Sequence, residues 1–170
     1  VANEISPVYC GSAFKNKAVQ PMLKALCRYL PSPVEAKPML ATQVDDESKQ
    51  IELAPDKNRP LVCMAFKITD EKFGQLTYVR IYQGTLKKGS NIFNTRTGKK
   101  IRVGRLVRMH SNDRENIDSA SAGDIIARIG VDCASGDTFC DEKINVSLES
   151  MFVATPVISL AITCKDKDAS

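Results

Sequence analysis

A chain of 170 residues with 43% apolar content can bury one good core and a small appendage, and none of its apolar runs approaches the roughly 20 residues that a membrane-spanning helix needs. Its six cysteines form no C-x-x-C pair and its one histidine is His110, so a zinc site of ordinary spacing is excluded and buried free thiols in a reducing compartment are expected. The net charge of +4 conceals a segregation: Arg80 to Arg108 holds nine basic residues and no acidic one, against 15 basic and 20 acidic residues elsewhere.

Residues 1–33 read as strand, turn and helix. Ile5 to Cys10 forms a short apolar stretch interrupted by Pro7, and Gly11-Ser12-Ala13 supplies a turn. Val19, Met22, Leu23, Leu26 and Leu30 then follow at helical spacing. Pro31-Ser32-Pro33 stops the helix, because proline has no amide to donate and biases its predecessor away from the helical region. Prolines 31, 33, 38, 55 and 60 and the polar run Gln43 to Gln50 predict an extended connector over 34–60. At most a short strand near Ile51 to Leu53 is expected there, and the segment reads as a domain boundary.

From Leu61 the pattern is β. Leu61 to Ile68 suits a buried strand, while Leu76 to Gln83, Ile101 to Met109 and Asn145 to Met151 alternate. Turn signals fall between them at Lys88-Gly89, Thr97-Gly98, Ala122-Gly123-Asp124 and Ser135-Gly136-Asp137. Strands of this length with no helical pattern between them predict a closed or nearly closed antiparallel barrel over 61–156. Arg96-Thr97-Gly98-Lys99 is the sharpest hairpin signal. Val157 to Ile162 reads as one more apolar strand, opening a further domain or linker over 157–170.

The chemistry-bearing residues are few. A nine-residue basic strip is matched to a polyanion, with hairpin tips at Lys87-Lys88 and Lys99-Lys100 and with Arg96 and Arg102 close by. Such side chains neutralise phosphates and release counterions, which gives sequence-independent, salt-sensitive attachment. The competing reading is a solvated face. Arg105 and Arg108 fall on opposite faces of one strand, so at least one can be structural. Tyr78 and Tyr82 share a strand face with Leu76 and belong to a core before a base-stacking platform. His110 forms no recognisable pair with a cysteine nucleophile, and no catalytic constellation is present.

These zones, in this order, resemble elongation factor G, the translocation GTPase of the ribosome. Gly11-Ser-Ala-Phe-Lys-Asn-Lys-Ala-Val-Gln-Pro-Met-Leu with Tyr29-Leu-Pro-Ser-Pro is similar to the last motif and helix of that family's GTPase domain. Phe73-Gly-Gln-Leu-Thr-Tyr-Val-Arg-Ile-Tyr-Gln-Gly-Thr-Leu-Lys-Lys-Gly is similar to the opening strands of its domain II barrel. Asn94-Thr-Arg-Thr-Gly-Lys-Lys, Arg105-Leu-Val-Arg-Met-His, Ala122-Gly-Asp-Ile, Gly136-Asp-Thr and Pro156-Val-Ile-Ser-Leu-Ala-Ile continue the match. Gly130-Val-Asp-Cys-Ala-Ser-Gly-Asp-Thr-Phe is most like the mitochondrial type and its spirochaete relatives.

The resemblance implies a mainly β fold, a translation-factor barrel preceded by the strand-turn-helix remnant of an α/β GTPase domain. It implies that Ser12, Ala13 and Phe14 are the guanine-reading element of a longer parent, with the Ala13 amide donating to guanine O6. The parent would use GTP or GDP with Mg. This chain has neither the G-x-x-x-x-G-K-[ST] loop nor Asn-Lys-x-Asp, so it reads as a piece of a larger protein, with no nucleotide binding or catalysis expected of it. Its implied partners are small-subunit rRNA, through Lys87, Lys88, Arg96, Lys99, Lys100 and Arg102, and the other domains of the same factor, with no membrane. The implied compartment is the bacterial cytoplasm, the alternative being the mitochondrial matrix. Rival readings are a termination, recycling or ribosome-protection relative, or a stand-alone protein-binding barrel.

Overall fold

Helical spacing in residues 19–30 yields one helix, α1 (Val19–Tyr29), in a computed structural model that describes residues 4–71, 74–111, 113–130 and 133–148. Its start has no side-chain cap, and Ala18 before it is left-handed at φ 62°. Its end is closed by the Leu30 amide donating to the Leu26 carbonyl at 3.1 Å, one residue before the first proline. Only Ala25 of the helix is buried. Met22, Leu23, Leu26, Tyr29 and Leu30 all remain exposed.

The strand predicted at Ile5 to Cys10 does not form. Residues 4–10 are irregular, and Ile5 and Val8 are exposed. A strand needs a neighbour to pair its amides, and an apolar stretch containing Pro7 has none among the described residues.

The stretch predicted as connector carries more structure than expected. β1 (Met39–Gln43) and β2 (Gln50–Leu53) make an antiparallel hairpin, and β13 (Val146–Leu148) pairs with β1 on its other side. The polar run between β1 and β2 is their turn. Asp46 organises it, accepting from the Ser48 amide and hydroxyl and pairing with Lys49 at 2.9 Å.

The remaining strands are β3 (Val62–Glu71), β4 (Gly74–Gln83), β5 (Thr85–Lys87), β6 (Asn91–Asn94), β7 (Lys100–Arg102), β8 (Leu106–His110), β9 (Asp113–Ile117), β10 (Ser119–Ser121), β11 (Ile125–Ile129) and β12 (Thr138–Cys140). Eight of them form one antiparallel sheet in the order β7-β6-β12-β3-β4-β11-β8-β9, while β5 pairs with β10 separately. The predicted strands from Leu61, from Leu76 and from Ile101 are thus present, the last split into β7 and β8 around Val103-Gly104-Arg105. Val157 to Ile162 and the tail of the strand predicted to reach Met151 lie outside the described residues.

Alternation sorts the side chains of this sheet between an inner cluster and two others, the smaller of them formed by Leu76, Val107 and Ala127. Cys63 and Ala65 of β3 face an inner cluster with Val79, Ile81, Leu86, Ile92, Leu106, Ile126 and Phe139. Val62 and Met64 point the other way, against Ala41, Leu53, Val146 and Leu148 of the β1-β2-β13 layer. Each fully buried aliphatic or aromatic side chain of this kind stabilises by about 1.5–3 kcal/mol. The inner cluster draws on strands from both ends of the ladder, so the sheet is curled around it. The ladder itself is open: no strand pairing joins β7 to β9 among the described residues. A curled half-barrel is what stands, where a closed barrel was expected.

Candidate nucleic-acid interface

The basic strip is carried by two turns and the short strand after the second of them. In β7, Lys100 and Arg102 are exposed while Ile101 between them packs on the inner core, so strand alternation alone places the two cations on one outer face. The turn after β5 presents Lys87 and Lys88, both exposed, and is closed by the Ser90 hydroxyl donating to the Lys87 carbonyl at 2.6 Å. The Gly89 amide donates to the Val103 carbonyl at 2.8 Å, and the Val103 amide donates to the Ser90 carbonyl at 2.8 Å. Those two bonds hold the lysine turn beside the residue next to Arg102. The two basic turns are neighbours.

The β6–β7 turn is built on Asn94. Its side-chain oxygen accepts the Arg96 and Thr97 amides at 3.0 and 3.2 Å, and its backbone carbonyl accepts the Gly98 amide at 2.8 Å. An Asx turn of this kind needs a residue in the left-handed region to close it, and Gly98 supplies φ 67° without steric cost. Below the turn lies Asp137, whose side chain is 2% exposed. It accepts Arg96 Nε at 2.5 Å and Nη2 at 2.9 Å, Asn94 Nδ2 at 2.7 Å and the Ala134 amide at 2.9 Å. Burial works to raise the pKa of this carboxyl, but the donors from Arg96, Ala134 and Asn94 outweigh it and hold the group below the usual carboxylate range.

Geometry therefore distributes the six candidate RNA-binding residues unequally. Arg96 has a bidentate grip on a buried carboxylate, and its main physical effect is to hold the hairpin in shape. Lys100 pairs with Glu142 at 2.9 Å and lies 5.5 Å from the Phe93 ring centroid; that ion pair is exposed and contributes little. Lys99 and Arg102 are exposed at the rim of an open cleft of roughly 550 Å³ between the hairpin and Gly130, Cys133 and Ala134. Elsewhere on the strip, Arg80 lies 5.0 Å from the Tyr82 ring centroid and Arg108 sits 3.7 Å from Glu115. Tyr78 and Tyr82 are part-buried against apolar clusters, as their shared face with Leu76 led us to expect.

Ser12, Ala13 and Phe14 lie far from any such constellation in sequence and form a tight loop. Ser12 and Lys17 exchange backbone hydrogen bonds at 3.1 and 2.9 Å, and the Asn16 amide donates to the Ala13 carbonyl at 3.0 Å. Phe14 at the tip is 100% exposed. His110 is exposed, 3.7 Å from Glu115, and among the described residues no group of three His, Cys, Asp or Glu could hold a metal. None of the described helices is long and apolar enough to cross a membrane.

Two functional-looking residues escaped the sequence reading. Asp137 was legible only as part of a Gly-Asp turn signal, with nothing to announce the buried network. Arg128 was hidden inside the apolar run Ile125-Ile-Ala-Arg-Ile, yet it is among the largest fully buried side chains.

A curled antiparallel sheet with a basic hairpin at one end is the architecture of a translation-factor second domain, and residues 74–140 match the family Elongation factor Tu domain 2. Along its whole length the chain is homologous to elongation factor G. It is 53% identical over 170 residues to Elongation factor G 1 of Borreliella afzelii, covering 100% of this chain and 24% of that protein. The figures for Elongation factor G 1 of Treponema pallidum are 53% over 167 residues, 98% and 24%. For Elongation factor G of Rhodopirellula baltica they are 55% over 162 residues, 95% and 23%. The chain thus spans about a quarter of the length of the relatives it matches. Two of these are spirochaetes, in keeping with the resemblance carried by Gly130 to Phe139.

Proposed function

We propose that this chain is the part of a ribosomal translocation GTPase that links its nucleotide-binding domain to its distal domains and braces the factor on small-subunit rRNA. The observation that carries the reading is the clustering of cations on two adjoining turns, Lys87-Lys88 and Lys99-Lys100 with Arg102, on a fold of the elongation factor type. Lys87, Lys88, Lys99, Lys100 and Arg102 would contact phosphates directly. Arg96 would act with Asp137 to hold the turn that presents them. Residues 1–33 belong to the end of the GTP-binding domain, 34–60 to a connector, 61–156 to the domain II barrel and 157–170 to the start of a third domain or a linker. The lysine turn's bonds to Val103, and the Lys88 amide's bond to the Asp118 carbonyl at 2.9 Å, support barrel closure across the open ladder.

The chemistry of the longer protein, hydrolysis of GTP with Mg, is assigned to residues outside this chain. Ser12, Ala13 and Phe14 fit a base-reading loop by their exposure and tight closure, but the sequence holds neither the G-x-x-x-x-G-K-[ST] loop nor Asn-Lys-x-Asp, so no step is routed through these residues. The bacterial cytoplasm is the compartment that the relatives favour.

Binding to purified small ribosomal subunits across a salt series tests the reading. Attachment should weaken steeply with salt, and Lys99→Ala/Lys100→Ala/Arg102→Ala should lower the logarithmic salt slope by roughly 1 per phosphate-contacting cation lost. Binding that ignores salt, or a slope untouched by the triple substitution, would assign the contact to another surface.

A further inference from the structure

The turn from β12 to β13 brings one carboxylate onto the basic strip. Its backbone is fixed by Asp141, whose Oδ2 accepts the Leu61 amide at 3.0 Å and whose Oδ1 accepts the Lys143 amide at 2.9 Å. The Asp141 amide donates in turn to the Leu61 carbonyl at 3.3 Å. Glu142 therefore leaves the sheet at a defined place, two residues after Cys140. Cys140 stands opposite Phe93 of β6, and Phe93 stands opposite Lys100 of β7. Across those three strands Glu142 Oε1 accepts from Lys100 Nζ at 2.9 Å, with the ammonium 5.5 Å from the Phe93 ring centroid.

Lys100 differs in this from the cations around it. Among the described residues no ion pair holds Lys87, Lys88, Lys99 or Arg102. Of the five side chains assigned to phosphate, only Lys100 already has an anion. A carboxylate oxygen and a phosphate oxygen compete for the same ammonium protons. The Lys100 and Glu142 side chains are 50% and 64% exposed, so water screens the pair and it exchanges partners easily. The contact is close enough to compete and weak enough to be displaced.

We propose that Glu142 is an intramolecular competitor of RNA phosphate, an autoinhibitory carboxylate that occupies Lys100 in the free protein and must release it before the hairpin attaches with all its cations. This role rests on the assignment of the strip to RNA. Displacement does not remove the carboxylate, because the Asp141 turn keeps Glu142 beside the strip, where it repels the phosphate that replaced it. Competition and repulsion both lower affinity. Both are electrostatic between exposed groups, so they act most strongly at low salt.

Glu142→Gln keeps the shape of the side chain and removes its charge. In binding of the chain to purified small ribosomal subunits it should tighten attachment about two- to fivefold at low salt, the range expected for one exposed ion pair. The logarithmic salt slope should steepen by up to about 1, because Lys100 then meets a phosphate without first giving up an anion. In a Lys100→Ala background the same substitution should lose most of its gain, since the cation it frees is gone. Glu52→Gln, which removes an exposed carboxylate that no ion pair holds among the described residues, controls for net charge and should gain less. Wild-type affinity in Glu142→Gln, an equal gain in Glu52→Gln, or a gain that survives intact without Lys100 overturns the role of Glu142 and leaves the RNA reading standing. If the wild-type chain binds the subunits at no salt concentration, the RNA reading falls and this role falls with it.

Discussion

The helical leader and the curled sheet obey the same hydrophobic patterning, but only one of them hides its apolar residues. In α1 the stripe of Met22, Leu23 and Leu26 forms at the right spacing and remains exposed, as does Leu30 just after it. In the sheet, Val79, Ile81, Ile126 and Phe139 are at most 1% exposed. A helix satisfies its own backbone, so periodicity alone can produce it. A strand satisfies nothing until it is paired, so Ile5 to Cys10 stays irregular while β3 and β4, ten residues each, pair along nearly their whole length. Stability should accordingly reside in the sheet, and substitution can break or sharpen that contrast.

The largest loss is expected at Phe139, which pairs with Cys63 and Asn94 and fills the middle of the inner core. Phe139→Ala should cost about 3–5 kcal/mol in urea unfolding, from lost transfer energy and the cavity left behind. A cost under about 1 kcal/mol would mean that the curl is not held by this core.

Next is Asp137, where removal of the carboxylate leaves Arg96, Asn94 and the Ala134 amide without their acceptor. Asp137→Ala should cost about 2–4 kcal/mol, discounted for the solvent around Arg96. The sign with pH comes from the lowered pKa. The unfolded carboxyl takes up its proton near pH 3.9, before the folded one does, so the stabilisation is complete above that value and lost as pH falls through the lower folded pKa. Asp137→Asn should therefore flatten the acid limb of a stability-versus-pH curve. An unchanged limb would show that the network carries no linked proton.

How much of this was legible in sequence depended on whether the signal was local. The alternation of Leu76 to Gln83 named a strand and its faces, and the polar Asn94 to Lys99 named a turn, because both are settled by neighbours in the chain. Of the β1–β2 hairpin only the short strand near Ile51 to Leu53 was legible; β1 was missed because it is short and the polar turn after it looked like a linker. What fixes β1 is β13, about a hundred residues away, and no local pattern reports that pairing. Arg128 failed for the same reason. Strand parity puts it on the face of Ile126, but only the curl of the sheet makes that face an interior.

Within the sheet, glycines separate a close approach from a turn requirement. At Gly84 (φ +80°) a Cβ would stand 2.6 Å from the Leu61 Cα, whereas at Gly98 (φ +67°) it would meet nothing within 4 Å. Gly98→Ala should cost about 1–2 kcal/mol, the left-handed penalty alone. Gly84→Ala should cost more than that, because backbone must move as well. Equal costs in thermal unfolding would show that the Leu61 strand yields easily.

Arg128→Met tests the sheet with the opposite sign. Replacing a buried charge that has no hydrogen-bond partner among the described residues by an apolar chain of similar length removes a desolvation cost and keeps the packing of the stem. A gain of about 1–2 kcal/mol is expected, net of the contact with Phe139. A loss of similar size would mean that the guanidinium contributes more through that ring than its missing hydrogen bonds take away.

The smallest effect belongs to the leader. Leu26 is 43% exposed on α1, so Leu26→Ser should change unfolding by no more than about 0.5 kcal/mol. The same substitution should reduce binding of a dye that reports exposed apolar surface. A stability loss above about 1 kcal/mol would show that the stripe is covered in solution, by another part of this chain or by a second copy. Concentration dependence separates those cases, since only association makes the midpoint rise with protein concentration. A concentration-independent loss would erase the contrast between the two regions, because the helix would then belong to the same cooperative unit as the sheet.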